Sequence, residues 1–403
     1  MPLPSTSGSI DCDVLIAGAG PAGCGAARSL AQRGLRVILV DQRSFPRDKV
    51  CGDGLISDAL GALEALGLLA RVAQCAVRSS ELRIYPPSRN PVSIHGEFAC
   101  LPREDLDLVL WNAAAEAGAI CRAGLTALAP LESDGRVTGI RFGGSSGEVE
   151  LKAPVTILAT GANATVLGAF GLASPGSGDA VAGRAYFSAP ADLIAEWPCL
   201  LIAFEREWCP GYGWIFPSPG NRFNIGVGLF GGASNRRLRD FWRAFVTSFP
   251  PAAAIVRAST QLSPFKGAPL RTGLTAARFG RPGLLAAGEA ASMTYSATGE
   301  GIGKALESGL LAATMAAECV GGQRPVDTLH EEYGREFLRR FHFRYKAYAV
   351  AQAWAAYPLI LNILAARAAA GRFARAELEA LLAERGDARR LFSKRGLLSA
   401  LIR

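Results

Sequence analysis

Three stretches of the chain predict a mixed α/β (α+β) fold. Residues 13–41 read as a buried strand, a glycine turn, a helix and a second buried strand. Residues 180–271 alternate aromatic and polar residues between Gly/Pro turns, and the chain beyond residue 300 is helical in pattern. The first stretch marks a Rossmann-type dinucleotide-binding domain, the second an antiparallel-sheet domain inserted into it, and the third a helical C-terminal region.

The opening unit carries the most information. Asp13-Val14-Leu15-Ile16-Ala17 is an apolar strand, and Gly18-x-Gly20-x-x-Gly23 follows it directly. An alanine-rich helix then runs to Gly34, and Val37-Ile38-Leu39-Val40 ends on Asp41. Gly18 permits the sharp turn, Gly20 lets backbone approach a pyrophosphate, and Gly23 lets helix and strand pack closely. The helix N-terminus offers free N–H groups and a positive dipole end to phosphate oxygens. Asp41, beyond the last glycine, is placed to accept from an adenosine ribose.

Composition narrows the class. A chain of 403 residues holds one large or two moderate domains with a substantial core. With half its residues apolar and 19% charged, wholesale disorder is excluded. Residues 1–11 have neither a basic start nor an apolar run, so no signal peptide is expected. Nine cysteines without a Cys-x-x-Cys pair point to free thiols in a reducing cytoplasm. The scattered His95, His330 and His342 argue against a zinc cluster or a histidine triad, and no metal is expected.

Charge is unevenly placed. Residues 331–403 hold 14 Lys/Arg and 7 Asp/Glu, almost all of the chain's net +8. A basic tail of this kind suits an anionic membrane surface or an anionic ligand better than nucleic acid, or it is a plain solvated face. The expected location is cytoplasmic, peripheral at the inner face of the membrane. Ala347 to Ala366 is twenty residues without a charge. Gln352, Pro358, Asn362 and the abundance of alanine make it a buried or interfacial helix pair broken near Pro358 rather than a span.

In chain order, Ser44 to Leu55 is a loop rich in turn formers, and Ser57 to Val72 reads as helix. Residues 81–101 read as short strands around a Pro86–Pro91 turn, and Glu104 to Ala117 as helix. Arg136–Phe142, Glu148–Lys152 and Val155–Ala159 read as a meander whose last strand runs into Thr160-Gly161. Strands follow at Gly183–Ser188, Cys199–Arg206, Gly213–Phe216 and Phe223–Phe230, then an amphipathic helix, Asn235 to Phe249. Gly283–Gly288 returns to buried-strand character, and Gly301 to Val320 is a long helix. The expected division is 11–75, 100–178 and 272–325 for the dinucleotide domain, 76–99 and 179–271 for the substrate domain, and 326–403 for the C-terminal region.

A second anchor is Gly288-Glu289-Ala290-Ala291, followed by Thr298-Gly299-Glu300-Gly301-Ile302. An acid at a strand end followed by a glycine loop opening a helix can hold a ribityl chain and face an isoalloxazine ring. Together with Gly18-x-Gly20-x-x-Gly23 and Arg103, these stretches resemble flavoproteins of the p-hydroxybenzoate hydroxylase-like fold. Lys49-Val50-Cys51-Gly52-Asp53-Gly54-Leu55 and Gly211-Tyr212-Gly213-Trp214-Ile215-Phe216-Pro217 narrow this, for they resemble the geranylgeranyl reductase family over roughly residues 11–320. Glu289 stands where the family usually has Asp, and Ala159-Thr160-Gly161 where it usually has Ala-Asp-Gly.

The resemblance implies an FAD enzyme that saturates C=C bonds of an isoprenoid chain with a flavin N5 hydride and a proton from a site acid. It implies a cofactor set of Gly18, Gly20, Ala22, Gly23, Asp41, Gln42, Arg103, Gly288, Glu289, Gly299, Gly301 and Ile302. Cys51 is the candidate proton donor, or else a small buried hydrophobe, and Asp53 a candidate relay. Tyr212, Trp214 and Phe216 alternate, so a strand puts them on one face, as cavity lining or as plain core; Tyr295 is a further substrate contact. Arg47 and Lys49 are candidates for a pyrophosphate. No second glycine triplet of that quality occurs, so electrons are expected from NAD(P)H or a reduced ferredoxin-type donor protein. The partner expected is an isoprenoid lipid or terpenoid, not nucleic acid. The alternative is an FAD-dependent monooxygenase or halogenase acting on an aromatic or natural-product substrate, with Lys49 as candidate halogen carrier; a third is a membrane-bound flavoprotein that only shuttles electrons or binds lipid.

Overall fold

The structure, a computed structural model, describes residues 11–173, 180–231, 235–274, 277–386 and 390. The N-terminal residues 1–10, where a signal peptide was not expected, and most of the basic stretch 387–403 lie outside the described residues.

The first sheet is parallel at its centre. Val14–Ala17 lies between Val155–Leu158 and Val37–Asp41, with Leu284–Ala286 and Ile120–Ala123 outside them, all parallel, and Gly280–Arg281 antiparallel at one edge. Val14–Ala17 and Val155–Leu158 are buried at every position, as strands covered on both faces must be. One face carries the helices Pro21–Ala31, Arg103–Glu116 and Ile302–Val320. The other is covered by an antiparallel meander of Thr126–Ser133, Arg136–Gly144 and Gly147–Lys152.

That meander corrects the sequence reading. Its third strand is Thr126–Ser133, and Val155–Leu158 belongs to the parallel sheet. Four consecutive buried residues cannot sit on a sheet with one wet face, whereas the Thr126–Ser133 strand has mixed exposure and carries Pro130, which hides its pattern. The helix expected over Ser57–Val72 is two helices, Ser57–Ala65 and Leu69–Cys75. They part at Gly67, whose φ of +69° ends the first.

A second sheet takes strands from both sides of the first sheet's sequence. Its order is Thr260–Gln261, Ala180–Ser188, Arg222–Phe230, Tyr212–Ser218, Leu200–Ala203, Val77–Tyr85, Val92–Cys100 and Gly54–Leu55, with Lys266–Leu270 also on Ala180–Ser188. The parallel pairing of Leu200–Ala203 with Val77–Tyr85 joins the two halves. The helices Asn235–Ser248 and Pro250–Ala258 cover one face, where Phe241 and Phe245 of the first pack with Phe249 at the joint between them. At the C-terminus Leu329–Ala355 and Pro358–Ala370 turn through 113° at the Tyr357-Pro358 junction, where the sequence placed a break, and Arg372–Leu382 follows. The last two helices pack Ala368, Ala374 and Leu382 against Leu82, Ile94 and Phe98.

Candidate functional site

A cavity of about 680 Å³ lies where the loops leaving the parallel strands face the second sheet. Ligands of open α/β sheets bind at this carboxyl edge. The loops bring Gly18 to Ala22, Val40 to Arg43, Arg47 to Gly54, Ala159 to Gly161, Ala287 to Glu289 and Thr298 to Ile302; the second sheet brings Leu82, Phe98, Leu200, Ile202, Tyr212, Trp214, Phe216, Phe230 and Leu270. One end is therefore polar and glycine-rich, the other apolar and aromatic.

At the polar end the glycine turn is dictated by contact. Gly18 has φ +99°, and a Cβ there would strike the Ala159 carbonyl; a Cβ on Gly23 would strike the Gly18 carbonyl. The Pro21–Ala31 helix has no side chain capping its first turn, so its N–H groups face the cavity uncommitted. Asp41 Oδ2 accepts from Ala19 N–H at 2.7 Å and Oδ1 from Arg43 N–H at 2.9 Å, so the carboxylate locks the turn that it ends. Arg103 grips Asp107 with two bonds of 2.8 Å, and Arg47 reaches the same carboxylate at 3.1 Å. Asp107, fully buried, holds both cations at the cavity wall beside Gly20.

Beyond the carboxyl end of the parallel Leu284–Ala286 strand, Glu289 Oε1 accepts from the Arg271 N–H at 3.2 Å while Oε2 lies 3.7 Å from Lys49 Nζ. The Ile302–Val320 helix opens on Gly301 without a side-chain cap. Thr160 Oγ1 and Glu300 Oε2 are buried without a partner among the described residues, and both residues line the cavity. Burial, with Asp58 and Glu384 nearby, pushes the Glu300 carboxyl up to about 8. Glycine cradle, two uncapped helix starts and orphaned polar atoms fit an FAD, whose phosphates, ribityl hydroxyls and ring edge need such donors and acceptors.

Between the two ends sits the Cys51-Gly52-Asp53-Gly54 loop. Asp53 is 0% exposed, with φ +65°. Its Oδ2 accepts from the Tyr186 hydroxyl and from Asn224 Nδ2 at 2.7 Å, and Oδ1 from the Arg103 N–H at 3.3 Å. Asn224 also donates to the Cys51 carbonyl at 2.9 Å and accepts from Trp214 Nε1 at 2.9 Å. Burial raises Asp53 to about 6 against those hydrogen bonds. Burial also pushes the Cys51 thiol up, with the Asp53 charge adding to it, while Arg103, the Asp53 N–H and Lys49 oppose.

The aromatic strand forms the apolar wall. Tyr212, Trp214 and Phe216 share one face, with ring centroids 6.2 and 6.5 Å apart, and Phe230 stacks on Tyr212. Opposite Trp214 the neighbouring strand has Gly226, where a Cβ would overlap the indole. The Tyr212 hydroxyl donates to the Thr298 carbonyl, tying the wall to the glycine loop.

The expected cofactor residues Gly18, Gly20, Ala22, Asp41, Gln42, Arg103, Gly288, Glu289, Gly299, Gly301 and Ile302 all line this cavity, with Gly23 behind the turn; so do Cys51, Asp53, Tyr212, Trp214 and Phe216. Tyr295 does not. It is fully buried, stacked on Tyr348 at 4.3 Å and packed on Tyr345, because the C-terminal helix covers the side of the loop to which it points. Asn224, Tyr186 and Asp107 went unread. Only Asp107 left a trace, its i,i+4 spacing from Arg103.

The profile of the family described as FAD binding domain matches residues 11–342. Menaquinone reductase of Mycolicibacterium smegmatis is 32% identical over 351 residues, 81% of this chain and 82% of the relative. Digeranylgeranylglycerophospholipid reductase 1 of Methanopyrus kandleri is 27% identical over 339 residues, 84% and 86% of the two chains. A geranylgeranyl bacteriochlorophyll reductase-like structure from Thermoplasma acidophilum superposes with a TM-score of 0.78 at 23% identity, covering 97% of this chain and 95% of that one. A flavin-dependent brominase superposes as well, TM-score 0.78 at 17% identity over 96% and 97%; these two show a shared fold.

Proposed function

Because this chain belongs to the FAD binding domain family, and within it to the geranylgeranyl reductases, we propose that this FAD-dependent oxidoreductase saturates C=C bonds of an isoprenoid chain. The observation that carries the reading is the place of the Cys51 thiol, at the junction of a cofactor-type glycine cradle and an aromatic-walled apolar cavity. Bound FAD, once reduced, supplies hydride equivalents.

The remaining work falls to the chain. An isolated trisubstituted alkene accepts hydride only as a proton arrives, so an acid must stand ready at neutral pH. Burial keeps the proton on Cys51 Sγ. Once it leaves, the Asp53 N–H at 3.3 Å and the Arg103 and Lys49 charges stabilise the thiolate. Asp53, anchored by Tyr186 and Asn224, holds the loop and biases the thiol towards its protonated form. Tyr212, Trp214 and Phe216 exclude water, and their faces stabilise positive charge developing on the prenyl chain. Lys49, Arg47 and Arg103 with Glu289 and Asp41 hold the cofactor.

The relatives named above are a menaquinone reductase and a digeranylgeranylglycerophospholipid reductase, which supports an isoprenoid lipid as substrate. Electrons come from NAD(P)H or a reduced ferredoxin-type protein, and nine unpaired cysteines suit a reducing cytoplasm. The test is anaerobic. The yellow protein is photoreduced, a geranylgeranyl compound is added, and flavin absorbance and product mass are followed. Reoxidation with a gain of two hydrogens per bond supports the reading. Flavin that stays reduced until oxygen enters, and then consumes it with an aromatic substrate, assigns a monooxygenase or halogenase instead.

A further inference from the structure

The C-terminal elbow has a surface that an isolated water-soluble helix pair would not carry. The helices Leu329–Ala355 and Pro358–Ala370 meet at 113°, and at their junction Tyr357 is 61% and Leu359 70% exposed. Leading to the junction, the exposed positions are Lys346, Ala349, Ala353 and Ala356, a spacing of three and four that makes one helix face. From Ala347 to Ala366 that surface holds no charge, where a solvated face ordinarily carries Lys, Glu or Arg.

Charge brackets the apolar elbow. Lys346 and Arg367, both exposed, stand at the far ends of its two arms, about 15 Å from the bend at helical rise. No ion pair joins either to a described residue. Residues 337–376 contain seven Lys/Arg and no Asp or Glu. The elbow is also held rigidly from behind. Tyr345 donates to the Met293 carbonyl at 2.6 Å, Asn362 Oδ1 accepts from Ser88 N–H at 2.8 Å, and Ala355 and Ala368 are buried. A fixed apolar prow flanked by cations has the chemistry of an interfacial anchor.

We propose that this elbow seats the protein on an anionic bilayer, with Tyr357 and Leu359 among the acyl chains and Lys346 and Arg367 at the lipid headgroups. The Pro358–Ala370 helix and its successor back the strands whose Leu82, Phe98 and Leu200 wall the cavity. Docking there brings the cavity's apolar wall close to the phase in which a prenyl lipid resides. This surface has the same chemistry whatever reaction the cavity performs.

The experiment is flotation of the flavin-loaded full-length protein with vesicles of phosphatidylcholine alone or mixed with phosphatidylglycerol. Binding is expected on the mixed vesicles, weak on the neutral ones and lost in high salt. Leu359→Asp should abolish flotation, and Lys346→Gln and Arg367→Gln should each lower partitioning about fivefold. All three variants should keep their flavin and their anaerobic reoxidation rate with detergent-dispersed substrate, so failure of docking is distinguishable from failure of the reductase reading. Equal binding to both vesicles, absent binding, or a Leu359→Asp variant that still floats overturns the proposal. Retention after an alkaline carbonate wash would assign a broken span. A dimer that Leu359→Asp dissolves would give the face to a second copy.

Discussion

Asp53→Asn tests the buried loop through the pH dependence of stability. In the unfolded chain Asp53 titrates near 3.8, and in the folded protein near 6, chiefly through burial. Between those values the native state binds more protons than the unfolded one, so stability falls as pH rises. The contribution is complete below the unfolded value and gone above the folded one. At about 1.36 kcal/mol per pH unit the shift amounts to roughly 3 kcal/mol. Asparagine keeps the shape, tolerates φ +65°, and still accepts from Tyr186 and Asn224, but it cannot titrate. Its amide also faces the Arg103 N–H at 3.3 Å, a donor–donor contact that costs about 1 kcal/mol at every pH. Urea unfolding of wild type and variant at saturating FAD, by circular dichroism, would be compared from about pH 4 to pH 7.5. The wild-type advantage should shrink by roughly 2.5 kcal/mol across that window, which opens just above the unfolded value, and the variant should match or exceed the wild type at the upper end. Other buried acids, Glu300 and Glu384 among them, tilt both curves alike and cancel in the difference. Two parallel curves would mean that Asp53 has an ordinary carboxyl, and the account of the loop would be wrong.

Cys51→Ser replaces the thiol with a hydroxyl too weakly acidic to serve, so anaerobic turnover should drop by roughly a hundredfold or more with flavin content unchanged; an unaltered rate would move the proton source elsewhere. Arg103→Ala leaves the fully buried Asp107 with Arg47 alone, a loss of about 3 kcal/mol with weaker FAD retention, readable by thermal melting and by flavin released on dialysis. A variant that melts like the wild type would show that Arg47 suffices. Gly226→Ala drives a methyl into the Trp214 indole, which should destabilise by about 1–3 kcal/mol and shift the tryptophan fluorescence. Unchanged emission would mean that the indole is free to move.

Local signals were legible because local physics wrote them. A glycine whose Cβ would meet a carbonyl oxygen must be glycine whatever lies elsewhere, and so the turn at Gly18 to Gly23 announced its strand, its helix and its ligand class. The alternation of Tyr212, Trp214 and Phe216 carried its own geometry, since a strand has no choice about which residues share a face. Pro358 in an uncharged run foretold the bend, because a proline cannot continue the helix before it. The sequence by itself determined these elements and the family resemblance built on them.

Tertiary structure alone decided what surrounds the acid. Asp53 meets Tyr186 across 133 residues and Asn224 across 171, and the two partners face each other only through the register of two antiparallel strands. Register depends on packing over the whole sheet, so no spacing in the chain foreshadows it. The same reason explains Tyr295, which sits beside the right glycine loop but turns into a tyrosine stack supplied by a helix some fifty residues later. It also explains why the twenty uncharged residues lie folded over the protein rather than straight. Asn362 within the run finds Ser88, Tyr345 just before it finds Met293, and only the assembled molecule provides those partners.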